Sequence, residues 1–262
     1  MNAETPIRCL LVGSESLLVR CGERLLARGH RIVGVVSAED AIARWADERG
    51  LHRLPPGRDL AARLASTDVD WLFSIANRRV LGDDVLARAR CGAVNFHDGP
   101  LPRYAGLNAP VWAILEGAQR HGVTWHRMRG GVDEGPILEQ RVFELDPRET
   151  ALTLNTRCFE AGVESFEALV ARIEAGTLEE RPQERAARTF FGSTDRPAGA
   201  CRIDWAAPAE RIDALLRALD HGPYPNPVGL PKAFLPDGSP VLLPRAEASD
   251  ATAEEAAPGT VL

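Results

Sequence analysis

Asn95 and His97 stand two positions apart in the run GAVNFH, and the Pro-rich segment DGPLPRY follows at once. Side chains alternate across a strand, so Asn95 and His97 leave the same face while Val94 and Phe96 leave the other and can pack. An amide N–H stabilises negative charge that builds on a carbonyl oxygen. An imidazole takes and returns a proton near neutral pH. The two groups together suit attack on a carbonyl, although an Asn-x-His pair on a strand also serves plain packing. Pro100 and Pro102 fix their own φ and push Gly99 and Leu101 towards extended backbone, which gives the pair a stiff wall. A third group is Asp133, in the glycine-flanked stretch RGGVDEGPI. A carboxylate near an imidazole stabilises the imidazolium and fixes its tautomer. Without that neighbour, Asp133 reads as an ordinary hairpin-turn aspartate.

The elements around these residues follow from periodicity. Residues 7–13, 31–37, 70–76 and 92–97 are short apolar runs that read as buried strands. Between them, residues 14–28, 39–49 and 59–66 carry helical spacing, and Gly29 and Gly50 stop the first two helices. Strands alternating with helices predict βαβ units, hence an α/β fold with a doubly wound, mostly parallel, Rossmann-like sheet. A helix is expected over 109–116. Residues 122–128 and 136–145 then predict a hairpin extension, followed by a long helix over 150–175.

Ligands of such sheets bind beyond the carboxyl ends of the strands. The first strand ends in GSESLL, a poor match to GxGxxG, so a dinucleotide site has little support. From residue 189 the chain is rich in Pro and Gly, with one helix over 207–219. The expected organisation is a catalytic domain over 1–188, a small C-terminal lobe over 189–245, and a linker with the start of a further domain over 246–262.

Composition narrows the function classes. The net charge of −6 argues against a nucleic-acid binder that coats phosphates. No apolar run approaches the roughly 20 residues that span a bilayer, and the N-terminus lacks the pattern of a signal peptide. The five cysteines are scattered and form no CxxC, which favours a reducing cytoplasm over a disulfide framework and predicts no metal site. Among the histidines, His126 shares a strand face with Thr124 and is expected on the acceptor side of a site. His30, His52, His121 and His221 read as surface or packing residues.

The ordered motifs NFHDGPLPRYAG, GVTWHRM and GVDEGPIL resemble the formyltransferases that use 10-formyltetrahydrofolate. The resemblance covers residues 7–175 and, more loosely, the stretch PYPNPVGLP. It implies that Asn95 polarises the formyl group, that His97 is the catalytic histidine and that Asp133 sits beside it. It places Gly99, Pro100, Leu101 and Pro102 against the folate, with the Leu101–Pro102 peptide bond expected cis. The stretch LFSIANRRVL aligns with the one whose backbone binds the pterin, which assigns Phe73, Ile75, Asn77, Arg78 and Val80 to the donor site. Gly130, Gly131 and Val132 match the loop that closes the pocket's other side. The family's usual Ser is Gly99 here, a Leu is Pro100, and a common Arg is Ala105.

The spelling DGPLPRYAG is most similar to formylation domains that open nonribosomal peptide and polyketide assembly lines. The implied donor is 10-formyltetrahydrofolate without a metal, and the implied acceptor is an aminoacyl group on a carrier protein. Downstream domains of a longer polypeptide are implied as partners. The alternatives are a sugar-nucleotide or methionyl-tRNA formyltransferase, a formyltetrahydrofolate hydrolase, and a non-catalytic scaffold of the same fold.

Overall fold

The first apolar run forms β1 (Arg8–Gly13), and α1 (Glu15–Ala27) follows it. β2 (Arg31–Val36), α2 (Asp40–Glu48), β3 (Arg53–Leu54) and α3 (Leu60–Arg63) complete the first half. The chain continues through β4 (Val69–Ile75), α4 (Asp83–Leu86), β5 (Ala89–His97), β6 (Ala105–Gly106) and α5 (Ala109–Leu115). The hairpin β7 (Arg120–Arg127) and β8 (Ile137–Glu144) precedes the long α6 (Ala151–Ala175). Then come β9 (Phe190–Phe191), α7 (Ala209–Ala218), β10 (Lys232–Phe234) and β11 (Pro240–Leu242). This computed structural model describes residues 6–235 and 237–243. The expected linker and strand start over 246–262 lie outside the described residues.

Seven strands form one sheet in the order β3-β2-β1-β4-β5-β7-β8. β1 to β5 pair in parallel, and β7 joins antiparallel to β5 and to β8. The doubly wound sheet and the hairpin extension are therefore both present. Gly13 is where β1 meets the end of β4: a Cβ there would lie 1.8 Å from the Ile75 carbonyl oxygen. Only glycine allows the two strand ends to come that close.

Apolar side chains fill both faces of the sheet. On one face α1 and α6 cover Leu11, Phe73, Val94 and Phe96 with Leu17, Leu18, Leu154 and Phe166. On the other, Leu60 of α3 and Val85 of α4 cover Leu10, Leu72 and Ala93. α6 is started by a capping box at Thr150 and stopped by Gly176 in left-handed backbone. α7 anchors the C-terminal stretch: Arg217 donates to the Glu149 carbonyl at 2.9 Å, beside the start of α6. Among the described residues no helix is long and apolar enough to cross a membrane.

Several boundaries differ from the sequence reading. The third helix spans only Leu60–Arg63, β5 starts at Ala89, and α7 spans Ala209–Ala218. β3 and α4 are two and four residues long, too short to carry a period. Both depend on contacts with neighbouring elements instead, β3 with β2 and α4 with β5.

Candidate active site

Asn95 lies near the end of β5, between Ser74 of β4 and His126 of β7, and both are in register with it. His97 faces Thr124 of β7 in the same way. Register partners share a sheet face, so all five polar residues gather on one side. Val94 and Phe96 point into the opposite core, where Phe96 meets Trp125. His97 is buried, while Asn95 is half-buried and reachable from solvent.

The His97 ring is fixed by the main chain. Its Nε2 lies 2.8 Å from the Tyr104 carbonyl oxygen. A carbonyl only accepts, so Nε2 carries the proton and Nδ1 offers a lone pair. Nδ1 lies 3.5 Å from Asp133 Oδ2 and 3.8 Å from Asp98 Oδ1. The sequence reading had Asp133 orienting this ring; the structure gives that task to Tyr104 and leaves Asp133 as an electrostatic neighbour. Asp98 is a second carboxylate beside Nδ1. Burial pushes the Asp98 carboxyl up from the usual range, against the pull of His97. Its adjacency to His97 in the sequence was the available signal.

His126 belongs to the same group of side chains. Its Nε2 lies 3.2 Å from Asn95 Nδ2 and 3.2 Å from Asp133 Oδ1, and its Nδ1 donates to the Arg127 carbonyl at 2.9 Å. It is therefore built into the Asn95–Asp133 cluster. Asp133 stands between two imidazoles and accepts the Gly106 N–H at 2.8 Å. Burial disfavours its charge, but His97, His126 and the Gly106 N–H outweigh that and hold the carboxyl well below the usual carboxylate range. The loop between β7 and β8 folds back across the sheet face to bring it there, with Asp133 at φ 54°.

A strap from the segment after α6 holds this arrangement. Gln183 Nε2 donates to the Asp133 and Gly135 carbonyls at 2.8 and 2.6 Å, and Arg188 donates to the Val132 carbonyl at 2.9 Å. Thr189 Oγ1 accepts the Tyr104 N–H at 2.8 Å, and β9 pairs with β6. Phe191 stacks on Trp112 at 4.2 Å between ring centroids. The strap thus fixes both the Tyr104 carbonyl behind His97 and the backbone of Asp133. Nothing in the spacing of Gln183, Arg188 or Thr189 marked them out.

A family model for formyl transferases matches residues 20–171. A methionyl-tRNA formyltransferase of Anaeromyxobacter dehalogenans is 33% identical over 236 residues, covering 84% of this chain and 74% of that protein. The chain belongs to the formyl transferase family. The fold of this formyltransferase is also similar to that of a 4-N formyltransferase from Francisella tularensis, with TM-score 0.76 and 17% identity over 93% of this chain and 98% of the other. An N-formyltransferase from Helicobacter canadensis, in complex with folinic acid and dTDP-3-aminofucose, gives TM-score 0.70 and 21% identity over 81% and 80% of the two chains.

The formyltransferase places its donor-side candidates in three loops. The resemblance assigns Phe73 and Ile75 to the donor, but both lie on the central strand β4 and are buried, main chain included, with the Ile75 carbonyl accepting the Ser14 N–H at 3.1 Å, so neither is open to a ligand. Asn77 clips the following turn, accepting the Arg79 N–H at 3.0 Å, and Arg78 and Val80 are exposed beyond it. The Pro loop is fixed on all sides. Leu101–Pro102 is cis, as expected. Thr124 Oγ1 accepts the Leu101 N–H at 3.1 Å and donates to the Gly99 carbonyl at 2.8 Å, while Gln140 donates to the Leu101 carbonyl at 2.8 Å. The Leu101 side chain is buried with Ala105 and Ile137, and Pro100 and Pro102 are half-buried. Gly130, Gly131 and Val132 are exposed. At Gly99 a Cβ would lie 2.7 Å from His97 Nε2 and 3.0 Å from the Ala109 Cβ. In this formyltransferase the family's usual Ser would therefore press on the histidine.

Proposed function

We propose that this formyltransferase moves the formyl group of 10-formyltetrahydrofolate onto the primary amine of an aminoacyl group held as a thioester on a carrier protein. The observation that carries the reading is the convergence of the Asn95 amide, the His97 Nδ1 lone pair and the Asp133 carboxylate on one sheet face. The donor-side loops fit a flat, hydrogen-bonding ring system with an anionic tail. They expose the aliphatic Val80 and Val132, and the guanidinium groups of Arg78 and Arg79 have no ion-pair partner among the described residues. Asn77, Arg78 and Val80 would take one side of that ring, Gly99 to Pro102 its edge, and Gly130 to Val132 the other side.

Asn95 Nδ2 donates to the formyl oxygen as charge builds on it during attack by the amine. His97 Nδ1 takes the amine proton and becomes an imidazolium between Asp133 and Asp98, which lower its cost. The same proton returns to the leaving nitrogen of the folate as the carbon–nitrogen bond breaks. Asp133, charged at neutral pH, stays an acceptor throughout.

The carrier-bound acceptor rests on the spelling of the DGPLPRYAG and LFSIANRRVL segments, and the net charge of −6 disfavours a polyanionic tRNA. The similarity to a methionyl-tRNA formyltransferase supports the rival acceptor, which offers the same α-amine beside an acyl ester. A competition assay with 10-formyltetrahydrofolate separates them. An aminoacyl pantetheine thioester, methionyl-tRNA and a dTDP-amino sugar are compared by kcat/KM, with formate release measured when no amine is present. The thioester should be preferred by about tenfold or more. Preference for tRNA or for the amino sugar moves the assignment to that acceptor, and formate as the sole product makes the enzyme a hydrolase.

A further inference from the structure

We infer that Ser74 decides which end of the Asn95 amide faces the reacting centre, an inference that rests on the oxyanion role proposed for Asn95. The two ends of a carboxamide have nearly the same shape. Turned over, Asn95 would present its carbonyl to the developing oxyanion and repel it. Packing does not choose between the two orientations, so hydrogen bonding must.

The choice starts from a group that can only donate. The Arg79 main-chain N–H lies 3.0 Å from the Asn77 side chain, which makes the facing atom Oδ1. The other end of Asn77 is then Nδ2, which donates to the Arg79 carbonyl at 2.9 Å and to Ser74 Oγ at 3.2 Å. Ser74 accepts from Asn77, so its one proton points the other way, to Asn95 at 2.8 Å. The Asn95 atom on that side must be Oδ1, and Nδ2 is left facing His126 and the site. Ser74 is fully buried, so water cannot take its place. The parallel register of β4 and β5 sets Ser74 directly beside Asn95. Ser74 is thus a positioning residue that acts through Asn95.

The test is a double-mutant cycle on the whole chain. Ser74→Ala should lower kcat about tenfold and leave the folate KM unchanged, a part of the 10² to 10³ loss seen when an oxyanion donor is removed outright. In an Asn95→Ala background the same change should cost nothing further, because the amide it orients is gone. Asn77→Asp supplies an independent variant in a half-buried turn. It keeps the acceptor for Arg79 but draws the Ser74 proton to itself, so at saturating folate it should reproduce the kcat loss and add none to that of Asn95→Ala. Because Asn77 also lines the donor side, a change in its folate KM is read separately and counts neither way. An impaired Asn95→Ala enzyme on which either change costs its full amount again overturns this inference alone. An Asn95→Ala enzyme with full transfer overturns the reading of the site and this inference with it. Should Ser74→Ala not fold, the Asn77→Asp cycle decides.

Discussion

The Tyr104 carbonyl lies 2.8 Å from His97 Nε2, so a main-chain oxygen fixes the histidine tautomer and turns Nδ1 towards two carboxylates. Tyr104 itself sits at φ 58°, and its N–H is held by Thr189, a residue that follows the long helix α6. The proton-transfer group therefore depends on chain segments far from it in sequence.

His97→Ala should lower formyl transfer by about 10² to 10⁴, the usual worth of acid–base assistance. His30→Ala should leave transfer intact, because His30 pairs with Glu174 at 2.9 Å, away from the Asn95 cluster. Steady-state rates with saturating folate check this, and equal losses would place proton transfer elsewhere.

Gly99→Ser restores the residue common in the family and should impair this enzyme. The new Cβ would lie 2.7 Å from His97 Nε2, and the ring cannot retreat without giving up the Tyr104 carbonyl. An overpacked buried site costs about 1–3 kcal/mol. A lower melting temperature together with reduced kcat is expected; a variant as active and as stable as the parent would show that the loop moves freely.

Thr189→Val keeps the shape but removes the acceptor for the Tyr104 N–H. A buried donor left without a partner costs about 1–3 kcal/mol. Stability and kcat should fall together, since the displaced Tyr104 carbonyl also orients His97. Differential scanning calorimetry and turnover on the same preparation test it. Loss of stability with unchanged kcat would detach the strap from catalysis.

Acid should destabilise the protein through His121. Its side chain is fully buried, and burial lowers its pKa from 6.5 to about 4, against the support of the Asp98 carbonyl. Among the described residues Nδ1 has no hydrogen-bond partner, so a proton placed there would be stranded. Between pH 6.5 and about 4 the unfolded chain binds a proton that the folded chain refuses, so stability falls as pH drops. The full difference is about 3 kcal/mol. Thermal melts across this window should show the slope, and His121→Gln should flatten it. An unchanged slope would assign the acid sensitivity to another group.

The sequence by itself determined what local rules control. Periodicity placed β1, β2 and β4 with the helices α1, α2 and α6, because apolar spacing and terminal glycines act within a few residues. Alternation put Asn95 and His97 on one face with the Pro loop as a stiff wall beside them, and the resemblance to the formyltransferases added the β7–β8 turn as the other side of one site. The tertiary structure alone decided which groups hold those residues in place. Tyr104 rather than Asp133 fixes the His97 ring, His126 joins Asn95 to Asp133, Ser74 sits beside Asn95, and the strap of Gln183, Arg188 and Thr189 sets the loops. These partners come from strand register and from chain crossings up to 85 residues apart, as between Tyr104 and Thr189. Main-chain carbonyls and N–H groups have no residue type, so a hydrogen bond to one of them leaves no mark in the sequence.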